Sequence, residues 1–506
     1  MAALKPTPRV TIVGAGMSGS LMAIFLARRG FAVEVYEKRG DLRREPVDTG
    51  KSIKMTLAAR GLQALEQVGL SAEVLRLCVP LRGRAVHSGD GTVTYQPYGK
   101  DEREVIYSIS RSDLNALLLD RAEDLPGVRL HFHQKCVQVD RETSTAVFRD
   151  ERTGAAETVE ADAVIGADGA FSVVRQQMQR GLRTAYRQDF LAWGYKELTI
   201  AAGPNGKPHI DLNALHVWPC GDQMLFALPN LDGSFNGVCV LPFEGKHGFE
   251  AVRCDADVLA LFRARFADAL PLMPDLLEEF RTRDVSEFLT LRTSRWHHKG
   301  KVVLLGDCCH TVVPFYGQGM NAAFEDCSVL DDCLARHPRC WETAFAEYQA
   351  LRKEHTDVLA QLSEDNFHEL RDTVRSVFVT ARKRASILLN RLFPRAYVPI
   401  YTLISHSTIP YAHCVERAQR QDRFARWLGV DLLVAALGLG ILARKILNRS
   451  QGGRFASPVS DTIEWRSILF SVLPRGKHPA APFPGCAGAG RARREARSRP
   501  APAREG

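Results

Sequence analysis

Gly14, Gly16 and Gly19 stand at the spacing G-x-G-x-x-G, and Glu37 follows 23 residues after Gly14. Glycines so spaced let a backbone turn tightly and approach a pyrophosphate, whose charge then sits at a helix N-terminus. A carboxylate at that distance can accept from both ribose hydroxyls and disfavours a 2′-phosphate, so the site suits FAD or NAD better than NADP. Two further acid–glycine motifs lie downstream, Asp168-Gly169 and Gly306-Asp307, and Asp307 can accept from a second ribose hydroxyl. Pro314, Gly317 and Gly319 come next, and Met320-Asn321 opens a helix whose N-terminus can stabilise negative charge on a reduced flavin ring. Asp-Gly and Gly-Asp are also common turn dipeptides, so each motif alone is ambiguous. Together, in this order, they describe a cradle around FAD.

Residues 9–13 read as a short buried strand, 20–29 carry Leu21, Ile24 and Phe25 at helical spacing, and 31–36 read as a second strand. Residues 163–165 and 302–305 are apolar strands that end at the acid–glycine motifs. No second G-x-G-x-x-G occupies a strand–turn–helix setting; Gly438-Leu439-Gly440 lies inside an apolar run. The reductant is therefore expected to visit transiently. The pattern predicts an α/β chain with a Rossmann-like FAD-binding domain and an inserted antiparallel-sheet substrate domain. The first is expected over residues 1–78, 107–180 and 290–380, the second over about 79–106 and 181–289. Segments 192–200, 216–218, 223–228 and 237–243 alternate as an antiparallel sheet requires. Residues 341 to about 392 lack glycine and proline and read helical, with a C-terminal helical region over 381–422.

At 506 residues, 45% hydrophobic and 25% charged, the chain can bury a full core in more than one domain. Its twelve cysteines are scattered without a CxxC pair, which predicts a reducing compartment and no metal centre. Cys308-Cys309 read as packing inside the flavin motif. With the first strand at Arg9, no room for a cleavable leader is expected. Trp427 to Ala443 is a seventeen-residue run with one charge, Asp431, and cationic flanks on both sides. A membrane anchor is expected over 423–447, although such a helix spans about 25 Å against a bilayer core of about 30 Å. Net charge is +9, but residues 491–506 alone hold six Arg against two Glu. The body is thus only mildly basic, nucleic-acid binding gains little support, and 448–506 read as a disordered basic tail.

GADGAFSVVR (166–175) resembles the motif of the single-component aromatic flavin hydroxylases, the para-hydroxybenzoate hydroxylase group. In that group the Asp168-Gly169 motif, closed by Arg175, contacts FAD and serves NADPH use. GKSIKMTLAARGLQAL (50–65), LRGRAVHS (81–88), WGYKELTI (193–200), LHVWP (215–219) and VPFYGQGMNAAFEDC (313–327) narrow the likeness to the kynurenine 3-monooxygenase family. The resemblance runs over roughly residues 8–445. It implies hydroxylation of L-kynurenine to 3-hydroxy-L-kynurenine, with NADPH and O2, through a C4a-hydroperoxide of FAD. The aniline lone pair activates the ring carbon, so no acid or base residue is assigned; His310 reads as a packed histidine beside Asp307. Arg84 is implied to bind the substrate carboxylate, assisted by Tyr98, Asn366 and Tyr401, with Tyr195, Phe226 and Phe315 as apolar walls. Further cofactor contacts are implied at Ser18, Tyr36, Lys38, Arg39, Thr56, Arg111 and Cys136. The family also implies a mitochondrial outer-membrane location with the catalytic part facing the cytosol, the endoplasmic reticulum being the alternative. Lys54, Thr56, Tyr316 and Cys308-Cys309 depart from the family pattern, Lys54 bringing a cation where a small neutral polar residue is expected. Two other readings stay open: another membrane-bound flavin monooxygenase acting on a quinone precursor or terpenoid, and a non-catalytic binding protein on the same fold, like the escort proteins of prenylated GTPases.

Overall fold

Val10, Ile12 and Val13 are buried in the strand Arg9–Val13, the kind of β-branched run that a parallel sheet covered on both faces selects. A computed structural model of the chain describes residues 7–45, 54–99, 104–373, 386, 389–394 and 396–427. In it that strand is central to a six-stranded sheet in the order His297–His298, Val302–Leu304, Ala163–Gly166, Arg9–Val13, Ala32–Tyr36, Val128–His131. All pairs are parallel except the first. The register sets Tyr36, Val13, Gly166 and Leu304 in one row. All three glycine motifs therefore leave the sheet at the same C-terminal edge, where open α/β sheets bind ligands. The helix Met17–Arg28 buries every residue from Gly19 to Leu26, because the sheet and the helices Arg111–Glu123 and Gly319–Arg336 enclose it.

A second sheet of seven strands runs Ser286–Thr293, Tyr186–Ile200, Phe235–Pro242, Gln223–Pro229, Ala214–Cys220, Gly83–His87, Val93–Pro97. It is antiparallel except where Ala214–Cys220 meets Gly83–His87. Its two faces divide cleanly by the period of two. Leu198, Trp218, Leu225, Ala227, Cys239 and Leu241 pack behind it with Phe262, Phe266 and Phe280 of the covering helices. Leu215, Val217, Phe226, Leu228, Val238 and Val240 face forward into a cavity. From behind, His87 meets Asp268 at 2.6 Å and His216 at 2.9 Å, while His216 donates to the Asp211 carbonyl at 2.8 Å. The strand that carries Arg84 is thereby pinned on its far side.

A three-stranded sheet, Lys54–Leu57, Ile106–Ser110, Cys78–Leu81, bridges the two layers. The glycine-free stretch after residue 340 forms the helix Trp341–Thr373. The helices Ile400–Ser405 and Tyr411–Trp427 follow. These described residues belong to one compact unit, Met1–Lys445; a second, Ile446–Gly506, which holds the whole of the expected tail, lies outside them. Of the expected anchor, 423–447, only residues 423–427 are described, and no described helix is long and apolar enough to cross a membrane.

Candidate active site

The glycine loop has the geometry that a pyrophosphate requires. Gly14 adopts φ +103°, and a Cβ there would lie 2.5 Å from the Ala167 carbonyl oxygen. The helix that begins at Met17 has no side-chain cap and no acid in its first turn, so its N–H groups stay open to an anion. Gly14→Ala is expected to give a colourless protein on purification, read from the flavin absorbance; a fully yellow variant would show that the close approach is not needed. Glu37 accepts from the Ala15 N–H and the Arg39 N–H, both at 3.0 Å, which holds its carboxylate against the glycine loop. Tyr36 stacks on Phe148 at 3.9 Å between ring centres, and burial pushes its phenol up to about 12. Lys38 and Arg39 are exposed at the same edge, and Ser18 lies against Gly306.

Cys308 joins the two acid–glycine motifs. Its thiol accepts from the Gly169 N–H at 3.1 Å and donates to Asp168 at 3.2 Å. The buried Arg175 spans the Cys308 and Ala170 carbonyls at 2.8 and 2.7 Å. The Asp168 carboxylate accepts from Ser172 Oγ and the Val173 N–H at 2.5 and 2.6 Å, so it caps the helix Val173–Gln179. Cys136 is buried, which pushes its thiol up to about 12. Asp307 lines the cavity with its side chain exposed there; desolvation by the surrounding protein raises its carboxyl, with His310 and Arg111 acting the other way.

The cavity encloses about 300 Å³ between the second sheet and the loop 312–320. It brings together Thr56, Arg84, Tyr98, Tyr195, Phe226, Asp307, Pro314, Phe315, Gly317, Gly319, Met320 and Tyr401. Arg84 sits over two parallel-stacked rings, 5.5 Å from the centre of Tyr98 and 5.2 Å from that of Tyr401. Its Nε donates to the Tyr98 hydroxyl at 3.4 Å. Burial opposes its charge, but the two phenolic oxygens more than offset that and raise its pKa. The guanidinium is thus held charged in an apolar chamber.

Two other predicted residues are spent on structure. The Asn321 side chain accepts from the Ala58 N–H at 2.8 Å and donates to the Thr56 and Gly317 carbonyls at 2.9 and 3.0 Å. It clamps the strand Lys54–Leu57 to the loop before the helix Gly319–Arg336, and Gly317 beside it takes a left-handed φ of +67°. Asn366 donates to the Phe315 carbonyl at 2.7 Å and does not line the cavity. His310 meets Asp326 at 2.5 Å instead of its sequence neighbour Asp307. Asp326 also binds Arg352, making a buried ion network whose members lie far apart in sequence. The cavity walls Leu215, Val217, Leu228, Val238, Val240 and Phe288 were absent from the sequence reading. Alternation along each strand was the signal available for them, once the cavity face was known.

Comparison with known proteins gives three findings. The FAD binding domain family matches residues 7–363. Kynurenine 3-monooxygenases of Salinispora arenicola and Salinispora tropica are 50% and 47% identical, the alignments covering 86% and 88% of this chain and 96% and 98% of theirs. Among solved structures, 2-methyl-3-hydroxypyridine-5-carboxylic acid oxygenase superposes with a TM-score of 0.59 at 22% identity, over 73% of this chain and 94% of that one, a likeness of fold. The expected mitochondrial outer-membrane location, with the endoplasmic reticulum as its alternative, does not hold. These relatives are bacterial and so have no mitochondrial outer membrane or endoplasmic reticulum, and no described helix can cross a bilayer.

Proposed function

The chain belongs to the kynurenine 3-monooxygenase family of FAD-binding hydroxylases, and from that premise we propose which of its residues carry the reaction. It is an FAD-dependent monooxygenase that hydroxylates L-kynurenine to 3-hydroxy-L-kynurenine with O2 and NADPH. The observation that carries the assignment of roles is a charged arginine stacked on two tyrosines, without a described carboxylate partner, at the wall of a largely apolar cavity. Arg84 binds the amino-acid carboxylate, because its planar fork matches that group in two parallel hydrogen bonds. Tyr98 and Tyr401 hold the guanidinium from below, and Tyr98 donates to the same carboxylate. Phe226, Phe315 and Tyr195 enclose the aromatic ring and exclude water, which otherwise discharges activated oxygen.

FAD, once bound and reduced by NADPH, supplies that activated oxygen. Gly14, Gly16, Ser18 and Gly19 would hold the pyrophosphate, and Glu37 with Tyr36, Lys38 and Arg39 the adenosine end. Asp307 would accept from a second ribose hydroxyl of the cofactor, and Pro314, Gly317, Gly319 and Met320 would lie against its ring. Asn321, Asp168-Gly169, Gly306, Thr56, Arg111 and Cys136 shape that cradle. The open N-terminus of the helix Gly319–Arg336, with no acid in its first turn, favours negative charge on the ring. We divide the chain into a cofactor domain (1–78, 107–180, 290–380) and a substrate domain (79–106, 181–289), a reading supported by the six-stranded sheet within the first and most of the seven-stranded sheet within the second.

The test is NADPH oxidation by FAD-loaded protein with and without L-kynurenine, with products weighed by mass spectrometry. Stimulated oxidation with a product one oxygen heavier is expected. Stimulation that yields only hydrogen peroxide would mean that ligand binds but oxygen transfer fails, and no response in a yellow protein would point to another substrate.

A further inference from the structure

Two cations line the cavity, and among the described residues neither has a carboxylate within ion-pair distance. One is Arg84. The other is Lys54, first residue of the strand Lys54–Leu57. Lys54 and Thr56 lie two apart and both line the cavity, and Thr56 Oγ1 donates to the Gly317 carbonyl at 2.9 Å. Lys54 thus shares its strand with a residue tied to the Gly317 loop and pairs with Ser110 across it, whereas Arg84 lies on the second sheet with Tyr98 and Tyr401. Burial lowers the Lys54 pKa, and the more distant Asp113 and Asp232 offset that only partly.

An ammonium held against apolar walls without a fixed partner gains more from a ligand acceptor than a solvated one does. A kynurenine molecule presents two acceptors, the carboxylate and the aryl ketone; its two amino groups serve chiefly as donors. The carboxylate suits the guanidinium fork, which leaves the ketone oxygen for a point-charge donor. We propose that Lys54 donates to the aryl ketone oxygen of the substrate and so makes this cavity selective for γ-aryl-γ-keto amino acids over aryl amino acids without the ketone. This rests on the placing of the ligand carboxylate at Arg84.

The experiment measures dissociation constants on FAD-loaded protein, read from the flavin absorbance change, for two probes. One is L-kynurenine, the other its analogue with a methylene in place of the ketone, 2-amino-4-(2-aminophenyl)butanoate. The unaltered protein is expected to prefer the ketone by about tenfold or more, the size of one charge-assisted hydrogen bond. Lys54→Met is expected to reduce that preference to about twofold or less, and Lys54→Arg to keep most of it. In the unaltered protein the preference should fade as pH rises, at a lower pH than for a solvated lysine, and in Lys54→Met it should not vary with pH. Flavin content and thermal midpoint of each variant confirm folding. Unchanged ketone preference in Lys54→Met overturns the proposal, as does a shift of the flavin reduction potential with the preference intact, which would assign the ammonium to the flavin. If neither probe perturbs the flavin of the unaltered protein, the kynurenine reading itself fails. If both bind without regard to Arg84, the carboxylate placement fails.

Discussion

Arg84→Ala is expected to leave the protein yellow and to raise the apparent KM for L-kynurenine about tenfold or more, the effect of losing about 1.5–3 kcal/mol of charged hydrogen bonding. The residue contacts none of the glycine motifs, so flavin content should be unchanged. A carboxylate far from the reacting carbon is bound alike in ground and transition states, which places the loss in KM. If the carboxylate also positions the ring over the flavin, kcat falls as well, since small misplacements are costly. Arg84→Lys should recover only part of the loss, because an ammonium cannot make the paired contact or lie flat on Tyr98 and Tyr401. Ordinary steady-state kinetics settle the matter, and an unaltered KM would sink the carboxylate assignment.

The second large effect concerns stability. Arg352 is buried and donates to Asp326 at 2.7 Å and to the Ala322 carbonyl at 3.1 Å, and it pairs with Glu325 at 2.5 Å. Asp326, fully buried, also meets His310 at 2.5 Å and the Gly306 N–H at 3.2 Å. Arg352→Met removes the cation and leaves two carboxylates under-compensated, a loss of about 3–5 kcal/mol. Because Asp326 also holds Gly306, flavin retention should weaken too. The pH dependence supplies a signed check. Burial by itself raises the Asp326 carboxyl, but His310 and Arg352 outweigh that and hold it below its ordinary range. Its contribution to stability is therefore complete above the unfolded carboxyl value near 4 and lost as pH falls through the lowered folded one. In Arg352→Met the balance reverses, so the deficit should be largest at neutral pH and shrink as Asp326 takes up a proton. The thermal midpoints of both proteins across pH 4–8 test this; parallel curves would exclude the network as the cause.

The cofactor motifs were legible because their constraints are local. Gly14 needs a left-handed backbone, a strand precedes it and a helix follows, and all of that lies within about thirty residues. The strands ending at Asp168 and Asp307 could be read likewise, and their meeting at one sheet edge follows from parallel pairing in register. Period-two alternation exposed the second sheet, but not which of its faces would front a cavity. That depends on the helices packed behind it, which bury Leu225 and leave Phe226 to the chamber.

Side-chain partners were not legible at all. His310 stands three residues from Asp307 but pairs with Asp326, because the buried face of the helix Gly319–Arg336 sets that carboxylate against the Gly306 loop. Asn321 and Asn366 spend their amides on backbone carbonyls instead of facing the cavity. Lys54 could be flagged as out of pattern from its neighbours in sequence, but only the fold sets it in the same chamber as Arg84. A backbone motif is set by the conformations its own residues allow, so sequence by itself determined the cofactor cradle. A buried polar group is satisfied by whatever packing brings within 3 Å, so the tertiary structure alone decided how the chamber is charged.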